Sequence, residues 1–330
     1  AYGAFARALA SRYSGTFLGL PRVRHFEAWN EPNLWVFLWP QWEGRVAVGA
    51  QRYRRLLNAF EEAVHAVRAD NVVIAGATAP YGDDPPNALR TRPLRFLRQV
   101  LCLKKKKSGR LAKADCRRKA SFDVLSHHPI NLNFGPRRSA IHPDDATTPD
   151  LKHVGRTLRA AERLGTVDRG RHRLWVTEIW WESNPPDPVS GVSLARQARR
   201  VQESLYVLWK QGARTVINYV LRDGPFDPDH PTRSIDSGLY AQNGSPKPAL
   251  TAFTFPFVAE RRTADAVFVW GRSPTTGRVV IEQRRSRGWT KAWSKRVRAG
   301  TIFTSRLELR GAVRLRASVD GRRSLNWSVR

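Results

Sequence analysis

The chain has 330 residues, with 57 Lys or Arg against 28 Asp or Glu and a formal net charge of +29. A hydrophobic share of 41% with 12 Trp excludes a disordered chain, and the length suffices for one large domain and a small one. No apolar run approaches the roughly 18 residues of a membrane-spanning helix, so no transmembrane segment is expected.

Taken in chain order, residues 1–12 (AYGAFARALASR) have the spacing of an amphipathic helix. The chain contains no Met and opens inside this helical pattern. Its first residue is therefore expected not to be the natural start, and the lack of a leader says nothing about export. A strand is expected over 22–29 (RVRHFEAW), a helix over 50–68, a buried strand over 71–77 (NVVIAGA) and a helix over 93–103 with proline in its first turn. Then come a strand over 122–126 (FDVLS), a helix over 150–164 ended by Gly165, and a strand over 173–177 (RLWVT). A long helix over 193–210 stops at Gly212, and 215–220 (TVINYV) is the last strand of the series.

Strands alternating with amphipathic helices specify a parallel sheet with helices outside it. Five strands are visible, whereas a closed (β/α)8 barrel needs eight. The expected fold class is therefore α/β, a TIM barrel lacking its first three βα units, with the visible strands as four to eight. After a final helix or packing segment over 249–257 the pattern changes to period two (VFVW, RVVIEQ, TIFTSRLELR, AVRLRASV, SLNWSV). That predicts a small antiparallel β-sandwich. The expected domains are 1–258, the barrel, and 259–330, all-β.

Cys102 and Cys116 flank the stretch LKKKKSGRLAKAD. Zinc would want four ligands at tight spacing. A disulfide stapling this loop, and hence an exported protein, is the expectation; two unpaired thiols are the alternative. The lysine run at 104–107 reads as a solvated tip.

Functional residues of a barrel come from the C-terminal ends of strands. The first visible strand ends in Trp29-Asn30-Glu31-Pro32-Asn33 and the fourth in Thr177-Glu178-Ile179-Trp180-Trp181. Two carboxylates at such ends can face each other across the mouth, as glycosidic cleavage requires. Glu182 is a rival to Glu178, four residues deeper into a loop, and Glu27 reads as a buried polar residue of a barrel layer. Tryptophans crowd the same loops, and sugar faces stack on such rings: Trp35, Trp39, Trp180 and Trp181 are the substrate-binding candidates. Trp175 reads as core.

HFEAWNEPN followed much later by WVTEIWW resembles the paired signatures of clan A glycoside hydrolases, closest to family 39 and to family 5 cellulase-like enzymes. The resemblance covers about residues 1–255. It implies that Glu31 is the acid/base on strand four, that Glu178 is the nucleophile on strand seven, and that Asn30 binds the sugar 2-hydroxyl. It also places a histidine of His127-His128 in the site to orient the nucleophile or bind sugar, although Ile130 stands where an aromatic is usual. Tyr219, at the end of the last strand beside Asn218, either reaches the nucleophile or packs in the core. Arg222 and Asp223 are weaker candidates for contacting a polar sugar.

The function expected is retaining hydrolysis of a glycoside or polysaccharide, with no cofactor and no metal. A non-catalytic sugar-binding barrel or an inactive truncated barrel fragment is the alternative. A polyanion-binding role for the charge is a third reading, with an anionic cell-surface polymer as the expected partner; no aromatic-plus-basic motif points to a specific nucleic acid. Trp270, Trp289, Trp293 and Trp327 give the C-terminal domain either a bracing or a carbohydrate-binding role.

Overall fold

The structure is a computed structural model that describes residues 1–330 except 86–87, 132–133, 169, 171 and 232–233. Two compact units emerge: Ala1–Ile179 with Leu208–Ile217, and Trp180–Val207 with Asn218–Arg330.

The first unit is built on a five-stranded sheet. Its strands are β1 (His25–Glu27), β2 (Val72–Thr78), β3 (Val124–His127), β4 (Arg173–Ile179) and β5 (Ala213–Asn218), and they lie side by side in chain order. The pairs β1–β2, β2–β3 and β3–β4 are parallel, in registers such as Glu27 opposite Ile74 and His127 opposite Val176. Sequential order without a reversal is the winding of a barrel wall, not of a doubly wound sheet. The sheet is a curled half-barrel.

Helices α1 (Tyr2–Arg12), α2 (Gly49–Val67), α3 (Pro93–Val100) and α4 (Leu151–Leu164) bury one stripe each. Tyr53, Leu57 and Val64 of α2, Phe96 and Leu97 of α3 and Val154 and Leu158 of α4 join Val73, Leu125, Leu174 and Val176 of the sheet in one core. α4 ends at Gly165, whose φ of 64° is the left-handed turn that glycine adopts without penalty.

The expected helix over 93–103 stops at Val100. Leu103–Lys105 instead pairs antiparallel with Leu111–Lys113, and the Cys102–Cys116 disulfide closes the base of this hairpin. The lysines at 104–107 lie at its exposed tip. The first expected strand shortens to His25–Glu27, and just past its end the backbone turns into the left-handed region at Trp29 (φ 75°).

In the second unit, helix α5 contributes Leu194–Val207 (the whole helix is Leu194–Lys210), and α6 is Pro248–Thr254. From residue 257 onward the unit is antiparallel. Strands β6 (Phe257–Thr263), β7 (Ala266–Arg272) and β10 (Ile302–Glu308) form one sheet; β8 (Gly277–Arg285), β9 (Gly288–Val297), β11 (Val313–Val319) and β12 (Trp327–Val329) belong to another. Alternate residues such as Val267, Val269, Val279, Ile281, Leu315 and Ala317 fill a shared core, as period two dictates. Trp270 and Trp327 are buried in it, Trp289 lies under the Arg316 guanidinium, and Trp293 stacks on Phe303. Among the described residues no helix is long and apolar enough to cross a membrane.

Candidate active site

The site grows from an irregularity in β2. Its register to β3 shifts between Ala75 and Thr78. Gly76 has φ 101°, and a Cβ there would stand 2.4 Å from the Ser126 carbonyl, so only glycine fits. The bulge turns the Ala77 carbonyl toward β1, where it accepts the Glu31 N–H at 3.0 Å. Glu31 itself has φ 38°. A non-glycine residue in that region costs on the order of 1–3 kcal/mol and persists where its surroundings over-determine it. Tyr53 supplies part of that support: its hydroxyl donates to the Ala28 carbonyl and accepts the Gly76 N–H, each at 2.9 Å.

Three side chains converge at the strand ends. Glu31, His128 and Glu178 each bring an oxygen or nitrogen to within 4.8 Å of the others. His128 Nδ1 lies 3.1 Å from Glu31 Oε1 and 3.7 Å from Glu178 Oε2. The imidazole is fully buried, while the carboxylates keep 15% and 23% of their side-chain surface, enough to meet a ligand.

One hydroxyl, that of Thr177, fixes the imidazole, and Glu27 in turn fixes the hydroxyl. Glu27 accepts hydrogen bonds from Ser126 Oγ at 2.6 Å and Thr177 Oγ1 at 2.9 Å. A hydroxyl has one proton. With the Thr177 proton directed to Glu27, Thr177 Oγ1 must accept from His128 Nε2–H at 3.1 Å. Nδ1 then faces Glu31 either as a lone pair or, in the cation, as N–H. A lone pair does not face an ionised carboxylate at 3.1 Å without repulsion. The 3.1 Å contact is a hydrogen bond when one proton lies between Glu31 and His128.

Burial raises the Glu178 carboxyl above the ordinary glutamate range; His128 opposes this, and Glu31 and Glu27 add to it. Two carboxylates and an imidazole are also a donor set a divalent cation accepts. Here both imidazole nitrogens stand at hydrogen-bonding distance from other side chains, the arrangement of a proton network.

The other expected site residues divide. Asn30 is exposed beside Glu31, and its amide has no hydrogen-bond partner among the described residues. Trp35 and Trp39, on the loop after β1, are 45% and 65% exposed. His127 is a correction: it is buried, its Nε2 faces the Ala146 carbonyl and its Nδ1 the Thr78 hydroxyl, and burial pushes its pKa down to about 4. Neighbouring residues of a strand point to opposite faces, so only one of this pair reaches the carboxylates.

In the second unit Trp180 is half-buried and lies near Tyr219, which is 41% exposed, with ring centroids 6.5 Å apart. Trp181 is a second correction. It is 4% exposed, donates to Ser204 Oγ and packs with Val201 and Leu239, so it is core. Glu182 accepts from Ser190 Oγ within the turn it shares with Asp187. Asp223 pairs with Lys247 at 2.5 Å. Thr177 and Ser126, which orient the network through Glu27, escape the sequence reading. Their signal was a hydroxyl in each of two strands that had to be buried, where such groups need partners.

No protein-family model and no curated protein matches the chain. Solved structures do. A family 39 glycoside hydrolase from the gut symbiont Bacteroides cellulosilyticus WH2 superposes with a TM-score of 0.52 at 15% identity, over 94% of this chain and 61% of that one. The chain has a glycoside hydrolase fold. A β-glucuronidase from Bacteroides uniformis (TM-score 0.48, 10% identity) is matched over 100% of this chain and 37% of its own. A glucosidase from Croceicoccus marinus (TM-score 0.47, 13% identity) is matched over 94% of this chain and 72% of its own. The chain thus spans little more than a third of the glucuronidase.

Proposed function

We propose that this chain carries the catalytic half of a retaining glycoside hydrolase, with β1–β5 as strands four to eight of a (β/α)8 barrel and the antiparallel segment as a sandwich. The observation that carries the reading is the pair of carboxylates: Glu31 and Glu178 oxygens within 4.8 Å, on two strand ends, joined by one histidine. Retaining glycosidases hold their carboxyl groups about 5–5.5 Å apart, whereas inverting ones leave about 6.5–9.5 Å for a water.

In this reading Glu31 gives its proton to the glycosidic oxygen as the bond to the anomeric carbon breaks, and a Glu178 oxygen bonds that carbon. Glu31, now ionised, takes a proton from water, whose oxygen displaces Glu178 and releases the sugar with its configuration kept. A proton shared with His128 supplies the first step. While that proton sits on His128, the cation favours ionised Glu178 and offsets the burial that raises it. Asn30, His128, Trp35 and Trp39 are the groups of the first unit assigned to the sugar. The disulfide suits an oxidising compartment, so the protein acts outside the cytoplasm.

A panel of aryl glycosides tests this with the wild type, Glu31→Ala and Glu178→Ala. Either substitution is expected to lower kcat by about 10²–10⁴. Azide or formate restores part of the Glu178→Ala turnover. An active wild type with unimpaired variants overturns the assignment; binding of sugar without turnover by any form favours a sugar-binding barrel.

A further inference from the structure

A second feature of the first unit lies at the other end of the sheet. A groove of about 880 Å³ is bordered by α4 and the starts of β4 and β5. Lys152, Arg156 and Arg163 of α4, Arg173 at the start of β4 and Arg214 of β5 line it, and no Asp or Glu does among the described residues. These five side chains are exposed, and among the described residues none forms an ion pair. Arg159 differs: it is held by Glu162 and the His172 carbonyl.

The α4 cations recur on one face, opposite the buried Val154, Leu158 and Ala161. From Lys152 to Arg163 is a row of about 16 Å at 1.5 Å per residue. Like charges at such spacing repel one another along the helix. A concave wall of one sign focuses its field on an anionic partner. A second groove, of about 570 Å³, shares Arg156 and Arg163 and adds Lys105 and Arg110; its one carboxylate among the described residues, Asp144, is paired with Arg98. The positive strip thus covers both flanks of the helix, the length of several sugar units and more than a single small anion needs.

We propose that this groove docks an acidic polysaccharide at a place separate from the candidate active site. No Trp, Tyr or Phe lines either groove, so nothing offers a nucleobase a stacking surface. The choice of a polysaccharide among polyanions rests on the carbohydrate reading above. Five residues along β4 separate Arg173 from Glu178, about 17 Å of extended strand. A polymer held at one end leaves the carboxylates at the other open.

The test is binding of the full chain to polygalacturonate and to heparin across a salt series, with single-stranded DNA as competitor. Four proteins are compared: wild type, Arg156→Glu/Arg163→Glu/Arg214→Glu, the milder Arg156→Ala/Arg163→Ala, and a control with the triple charge change elsewhere, Arg7→Glu/Arg45→Glu/Arg310→Glu. The groove variant is expected to bind at least tenfold more weakly. The slope of log Kd against log salt falls by roughly two to three. The control stays near wild type, and Arg156→Ala/Arg163→Ala, a milder change, falls between. Hydrolysis of neutral aryl glycosides is unchanged in the groove variant, which separates this site from the catalytic reading. Equal weakening in the control, DNA competing as well as the polyuronate, or no wild-type binding to either polysaccharide at physiological salt overturns the proposal.

Discussion

At the scale of single residues, the site depends on which atom holds which proton. Thr177 directs its hydroxyl proton to Glu27 and thereby obliges His128 to donate from Nε2. Thr177→Val removes that instruction without changing size much. A lost hydrogen bond of this kind is worth about 1 kcal/mol, so kcat/KM is expected to fall roughly fivefold, with the folded structure kept. Steady-state kinetics beside a thermal melt separates this from a packing defect. Glu178 makes a sharper prediction. A nucleophile acts ionised, and burial raises this carboxyl, so the acidic limb of kcat/KM is expected above the ordinary glutamate range. His128 opposes the rise, so in His128→Ala the limb moves to still higher pH. A limb that moves down in that variant means that the histidine does not act on Glu178. Adjacent His127 and His128 show the limit of sequence at this scale: both look equally apt, and only the register of β3 decides which faces the carboxylates.

At the scale of elements, the bulge of β2 carries the position of Glu31. Gly76→Ala puts a methyl carbon 2.4 Å from the Ser126 carbonyl and asks alanine for φ 101°. A loss of about 1–3 kcal/mol in denaturant unfolding is expected, together with reduced turnover, because Ala77 holds the Glu31 backbone. The second unit holds a different element-level tension. Asp236 is fully buried, neither of its carboxylate oxygens has a hydrogen-bond partner among the described residues, and desolvation pushes its pKa up to about 6. A carboxyl raised in the folded state binds its proton more tightly there, so stability is expected to fall as pH rises from about 4 to about 6. Asp236→Asn then stabilises more at pH 8 than at pH 4 when thermal midpoints are compared; an equal effect at both contradicts the sign. The alternation of strands and helices was legible because apolar period changes between two and 3.6. The hairpin after α3 was not, because Leu101 and Leu103 continue a helical pattern and only pairing with Leu111–Lys113 ends it.

At the scale of the molecule, two parallel strands that are distant in sequence deliver Glu31 and Glu178 to one histidine. The sequence announced both glutamates through their strand ends and a histidine of the 127–128 pair beside them, but not which of the two it is, nor that Trp181 turns inward to the core of the second unit. Burial of that ring is decided by Val201 and Leu239, which are remote in sequence. The most direct measurement traps the proposed covalent intermediate. An activated 2-deoxy-2-fluoro glycoside, chosen from sugars the wild type turns over, is reacted with the protein and the labelled peptide is mapped by mass spectrometry. The sugar is expected on Glu178; a label on Glu31, Glu182 or any other side chain contradicts the account.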